Sequence, residues 1–227
     1  MTMSGRKVTA VIFDWDGTVA DSREAMLYSY RYTFRTNLGI EFPTTDDEFR
    51  TIVKMRTSEM AAKYGDGKAD RVAADYNVYY NSEGYRECKV FPGMPSTLEQ
   101  LRARGYRLGV ATNKALERLL TDMAHLGLRG HFDALVTSED SPERKPHPAP
   151  LLKAAEKLGI DPAHCAYVGD FSGDIIAAKA AGMVSVGVAW GRIYPEEDLT
   201  AQNPDYLLHS PEELLQIFAG VTPIARS

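Results

Sequence analysis

Two aspartates one residue apart, Asp14 and Asp16, stand in the stretch VIFDWDGTVADS and are followed at once by Gly17 and Thr18. A second pair, Asp170 and Asp174, stands four residues apart in VGDFSGDI, and Lys145 falls between the two pairs in ERKPHP. Carboxylates gathered this densely repel one another: two unit charges about 4 Å apart interact by roughly 4 kcal/mol at an effective dielectric of 20. If the pairs meet in space, they must take up protons or share a cation. Mg²⁺ suits such a set, because it takes hard oxygens, keeps several waters and is held by one or two carboxylates plus substrate phosphate. A carboxylate beside that ion can attack phosphorus and form an aspartyl-phosphate. Lys145 and nearby backbone N–H groups can then stabilise the charge spread over the phosphoryl oxygens. The other carboxylate of the D-x-D pair can protonate the leaving oxygen and afterwards activate water. A bare D-x-D is expected about once by chance in a chain of this composition, but D-x-D-G only about 0.08 times. The G-D-x-x-x-D element is about as rare, so finding both with Lys145 between them is informative.

The elements that must position these groups are readable around them. Short apolar runs at 8–14, 107–112, 133–137, 165–169 and 184–188 are rich in Val, Ala and Ile without clean alternation, the pattern of strands buried on both faces. Helical segments at 94–104, 115–126, 148–158 and 174–181 are each followed by glycine, and the last helix is expected to open at SPEE. There Ser210 is placed as N-cap, Pro211 at the first helical position and Glu213 as partner in a capping box. Strands alternating with helices predict a doubly wound, Rossmann-like parallel α/β sheet. Residues 22–87 break the alternation with four helical segments and no strand. They predict an all-helical cap domain inserted into an α/β core made of 1–21 and 88–227, with hinges near 19–22 and 88–93.

Placed on this framework, the chemical residues fall at strand ends. Asp14 and Asp16 follow the first strand, Thr112 and Asn113 the second, Lys145 the third by a loop, and Asp170 and Asp174 the fourth. The carboxyl edge of an open α/β sheet is where ligands bind, so all of them are expected to share one crevice.

Composition narrows the partners. The 227 residues are 44% hydrophobic and 25% charged, ordinary for a globular protein with a sizeable core. A formal net charge of −5 with no basic arm argues against nucleic acid. Without an apolar run of spanning length, and with MTMSGRK leading directly into a strand, neither a membrane span nor a signal peptide is expected. Cys88 and Cys165 show no C-x-x-C spacing and read as free thiols of a cytoplasmic protein. The Tyr-rich YSYRY and YNVYY read as helix packing, His147 as a loop residue, and Trp15 and Trp190 as core or cleft-wall aromatics.

The stretches DWDGTVADS, VATNK, KPHPAPLL and VGDFSGDIIAAKAAGM resemble the four motifs of the haloacid dehalogenase superfamily, in its phosphoglycolate phosphatase-like branch with a helical cap after the first motif. The resemblance runs through almost the whole chain, down to VAWG and PDYLLHSPEELLQIF. It implies Asp14 as nucleophile and Mg²⁺ ligand, and Asp16 as general acid/base that also gives the metal a backbone carbonyl. It further implies Thr112, with Asn113 beside it, and Lys145 on the phosphoryl group, Asp170 as third metal ligand, and Asp174 orienting Lys145 or metal-bound water. Arg56, in the cap, stands where related caps select substrate, with Lys54 nearby. Lys114 extends the second motif to TNK, equally readable as a solvated helix start. Trp15, Val19 and Phe171 depart from the usual aliphatic, Leu and Ser or Thr. The implied function is a Mg²⁺-dependent phosphatase for a small phosphorylated metabolite, 2-phosphoglycolate first. A sugar-phosphate mutase would need the same motifs, and a catalytically silent binding protein could keep the scaffold.

Overall fold

The computed structural model describes residues 7–191 and 193–219. The opening residues 1–6, and with them the expectation placed on MTMSGRK, lie outside that range. In chain order the elements are β1 (Ala10–Phe13), β2 (Ala20–Asp21), α1 (Arg23–Leu38), α2 (Asp46–Val53), α3 (Thr57–Tyr64), α4 (Ala69–Ser82), β3 (Lys89–Val90), α5 (Met94–Ala103) and β4 (Arg107–Ala111). There follow α6 (Leu116–His125), β5 (Ala134–Val136), α7 (Ala149–Leu158), β6 (Cys165–Gly169), α8 (Ser172–Ala180), β7 (Val184–Val188), α9 (Glu196–Thr200), β8 (Tyr206–Leu208) and α10 (Glu213–Ile217).

Six strands run parallel in the order β5-β4-β1-β6-β7-β8. Alternate residues feed two cores. Val11 and Phe13 of β1 join one cluster with α5, α6 and the inserted helices; Ala10 and Ile12 join the other with α7 and α8. Burial on both faces is why these strands read as continuous apolar runs. The chain leaves β1 toward β4 and β5, then returns to place β6, β7 and β8 on the other flank. The order of strands therefore reverses at β1, and a crevice opens beyond its carboxyl end.

The helices α1 to α4 lie between the sheet's first strand and its return. Helix α2 opens with a capping box: the Glu48 N–H donates to Thr45 Oγ1 at 3.2 Å, and the Thr45 N–H donates to Glu48 Oε2 at 3.2 Å. Three acids in its first turn favour the positive end of the helix dipole. Phe34, Phe49, Ile52, Met60 and Tyr80 from the insert belong to the same buried cluster as Val11 and Phe13.

Helix α9 adds an element that the sequence expectation lacks, and three further features differ from it. The two chain crossings into and out of the insert pair as an antiparallel ribbon, Ala20 with Val90 and Asp21 with Lys89; two residues per strand are too few to show a period. Strand β8 was not anticipated because YLL is short and only part-buried at the sheet's edge. The capping box at Ser210 does not form. Ser210 instead accepts the Glu213 N–H through its backbone carbonyl in a turn, Glu213 reaches back to the His209 N–H, and α10 begins only at Glu213.

Candidate active site

The register of the sheet fixes what meets at its carboxyl edge. Phe13 is level with Val110 of β4 and Val168 of β6, so Asp14 leaves β1 one residue ahead of where Thr112 and Asp170 leave their strands, and all three emerge at one edge. Gly17 makes the close approach possible. It has φ of +79°, and a Cβ there would stand 2.0 Å from Asp170 Oδ2, so the D-x-D-G turn folds its bare backbone onto the Asp170 carboxylate. Thr18 Oγ1 donates to Asp170 Oδ1 at 3.3 Å.

Asp14, Asp170 and Asp174 are buried, and each offers a carboxylate oxygen within 4.8 Å of the others. Lys145, also buried, bridges two of them: its Nζ is 2.8 Å from Asp14 Oδ1 and 2.7 Å from Asp174 Oδ1, and it donates to Tyr167 Oη at 2.7 Å. Burial opposes charge on Lys145, but Asp14 and Asp174 outweigh it and raise its pKa. One lysine cannot satisfy three acids. Burial, then the charges of Asp14 and Asp174, push Asp170 well above the ordinary carboxylate value, and burial raises Asp174 to about 6. Among the described residues, Asp14 Oδ1 and Asp174 Oδ1 have the Lys145 ammonium as their one partner, and buried Asp170 Oδ2 has no hydrogen-bond partner. Three converging carboxylates that share one lysine, with an oxygen of Asp170 left unpartnered, fit a divalent cation.

The repulsion predicts a pH signature. Between the unfolded value of 3.8 and their raised folded values, Asp170 and Asp174 bind more protons folded than unfolded, so their contribution to stability falls as pH rises. In chelator, Asp170→Asn should therefore melt above the unsubstituted protein by an advantage that widens as pH rises above the unfolded value of 3.8, at about 2–4 °C per kcal/mol for this chain length. A divalent cation should reverse the order. An advantage that stays flat with pH would leave the three acids without mutual repulsion.

Asp16 stands apart from that group. Its Oδ1 accepts from Lys114 Nζ at 2.7 Å; burial would raise it, but the charge and hydrogen bond of Lys114 hold it below the usual carboxylate range. Lys114 also meets Asp122 at 2.9 Å and Tyr80 Oη at 2.9 Å, while Trp15 Nε1 donates to Asp122 at 2.9 Å. This buried network joins the D-x-D turn to α6 and to α4 of the insert. It accounts for Trp15, whose indole N–H needs a polar partner that an aliphatic residue would not. Sequence reasoning missed Asp122 and Tyr80. The signal was present in part, since Asp122 lies three and one residues from Leu119 and Met123 on the buried face of α6.

The other expected residues divide. Thr112 is buried, accepts the Lys114 N–H at 3.2 Å, and lines a cavity of about 650 Å³ together with Asp14, Asp16, Lys145 and Arg56. Asn113 lines it as well, but its amide is committed to the backbone of Lys145, accepting at 3.1 Å and donating at 3.3 Å, and so holds the lysine loop. Asp174 accepts the Phe171 N–H at 3.0 Å, so it caps α8 and pairs with Lys145 at once. Phe171 gives up a hydroxyl but stacks near Tyr194, and Lys54 of the insert lies over both rings at 5.8 and 5.5 Å. His147 is exposed and accepts the Ala149 N–H. Trp190 donates to the Thr18 carbonyl at 3.0 Å.

Comparison with known proteins agrees with this geometry. A family profile described as haloacid dehalogenase-like hydrolase matches residues 11–188. The chain is 31% identical to pyrophosphatase PpaX of Bacillus velezensis over 228 residues, covering 95% of this chain and 98% of that one. It is 30% identical to the phosphoglycolate phosphatase of Aquifex aeolicus, covering 91% and 95%. A haloacid dehalogenase-like hydrolase from Streptococcus pneumoniae superposes with a TM-score of 0.82 at 28% identity, covering 93% and 98%. No helix among the described residues is long and apolar enough to cross a membrane. Parallel sheet, helical insert and motif order agree with the profile's span: the chain belongs to the haloacid dehalogenase-like hydrolase family and is a phosphatase within it.

Proposed function

We propose that this phosphatase is Mg²⁺-dependent, acts on a small phosphorylated metabolite, and works through an aspartyl-phosphate on Asp14, with 2-phosphoglycolate as leading substrate. The observation that supports the reading is Lys145 held between Asp14 and Asp174 while the buried Asp170 carboxylate beside them keeps an oxygen without a partner. Asp14, Asp170 and the backbone carbonyl of Asp16 would hold Mg²⁺, which supplies positive charge against the phosphoryl oxygens when bound. Asp14 attacks phosphorus as the bond to the leaving oxygen breaks, and Asp16 gives that oxygen its proton. Asp16 then takes a proton from the water that attacks phosphorus, and the phosphorus–Asp14 bond breaks to release phosphate. In this conformation Lys114 holds Asp16 anionic, the form that activates water. Thr112 and Lys145 grip the phosphoryl group, and Asp174 and Asn113 hold Lys145 for it. Residues 22–87 act as a cap over the core formed by 1–21 and 88–227, and close the cavity against water. Cytoplasmic residence is supported by Cys88 and Cys165, both buried free thiols raised by burial.

The likeness to a pyrophosphatase favours inorganic pyrophosphate as a second substrate. A screen of phosphorylated metabolites, pyrophosphate and para-nitrophenyl phosphate, read by phosphate release with and without Mg²⁺, tests the reading. We expect the largest kcat/KM with 2-phosphoglycolate and none without the metal. Turnover only with a bisphosphate activator would favour a mutase, and no release from any substrate would leave a binding protein.

A further inference from the structure

Two arginines at the cavity serve no part of the chemistry at Asp14. Arg56, just before α3, reaches across from the insert and places Nη2 3.5 Å from the carbonyl of Pro142, on the loop that carries Lys145. Its acidic neighbour Glu59 is 3.8 Å from Nε, with both side chains more than half exposed, so that pair holds it weakly. Arg144 immediately precedes Lys145. It is part-buried, its Nε is buried without a hydrogen-bond partner, and it forms no ion pair among the described residues. Burial and the charge of Arg56 both lower its pKa, and the half-exposed Glu59 offsets them only in part. Both line the cavity that holds Asp14 and Lys145. Two guanidinium groups converging from opposite walls, one desolvated and unsatisfied, form a site for an anion that takes paired N–H donors, as carboxylate and phosphate do.

We propose that Arg144 and Arg56 bind a second anionic group of the substrate, a carboxylate or a second phosphoryl group, while Lys145 binds the phosphoryl group to be transferred. The proposal rests on Asp14 and Lys145 being the phosphoryl site. Because Arg144 and Lys145 are neighbours in the chain, the two anions must lie close together, which selects compact two-anion compounds over sugar phosphates with a neutral far end. Glu59 and the rings of Tyr30 and Tyr194 are the other groups whose fields reach Arg144.

Phosphonates separate this proposal from the hydrolytic reading, since their carbon–phosphorus bond survives an active phosphatase. Titration calorimetry with saturating Mg²⁺ would compare ethylphosphonate, which has one anionic group, with 3-phosphonopropionate and methylenediphosphonate, which add a carboxylate or a second phosphonate. The intact protein should bind at least one two-anion ligand about tenfold or more tighter than ethylphosphonate, and the tighter of the two identifies the second group. Arg144→Gln and the exposed Arg56→Gln should each cut that ratio to about threefold or less, with Arg144→Lys between. A ratio near one in the intact protein overturns the proposal. So does a ratio that survives both substitutions, or equal weakening of all three ligands. The outcome is independent of turnover, so a protein that hydrolyses nothing still decides it.

Discussion

Asp14→Asn is expected to lower kcat for phosphate release by about 10⁴-fold or more while the protein melts no lower than before. The amide matches the carboxylate in size, so the packing at the end of β1 is kept, yet it cannot become an acyl-phosphate. Stability should hold or rise in chelator, because one of three converging carboxylates loses its charge beside Asp170 and Asp174, while Lys145 keeps Asp174 as its ionic partner. The check pairs single-turnover phosphate release with thermal melts in chelator and in Mg²⁺. Retained turnover would move the nucleophile elsewhere, and a collapsed fold would mean that Asp14 is needed for packing.

Lys145→Met should do both kinds of damage. Its Nζ is buried between Asp14 and Asp174 and donates to Tyr167. Removing one partner of a buried ion pair leaves uncompensated charge and costs about 3–5 kcal/mol. Loss of a preorganised cation at the phosphoryl group costs about 10²–10³-fold in kcat. The two effects separate by condition. Mg²⁺ neutralises part of the stranded acid charge, so urea unfolding should show the stability deficit shrink with the metal while the kinetic deficit remains. A variant as stable as the parent in chelator would show that Lys145 does not hold the acids together.

The sequence alone determined a good deal, for reasons that lie in short-range physics. The strands at 165–169 and 184–188 match β6 and β7 residue for residue, because burial on both faces leaves an uninterrupted apolar run. The four helices of the insert, α1 to α4, answer to the four helical segments expected over 22–87. D-x-D-G, Lys145 and G-D-x-x-x-D could be set at strand ends, and strand ends of a parallel sheet share one edge. What only the tertiary structure decided concerns partners far apart in the chain. Asp16 is bound to Lys114, Lys114 to Asp122 and Tyr80, and Trp15 to Asp122 across 107 residues. Asn113 proves to brace a loop 32 residues away, and Arg144 and Arg56 to line one cavity. Periodicity reports which face of an element is buried; it carries no information on which buried polar group another will meet. That choice is made when loops and inserted helices close over the sheet, and the cost of leaving a buried charge unpaired then selects the partners.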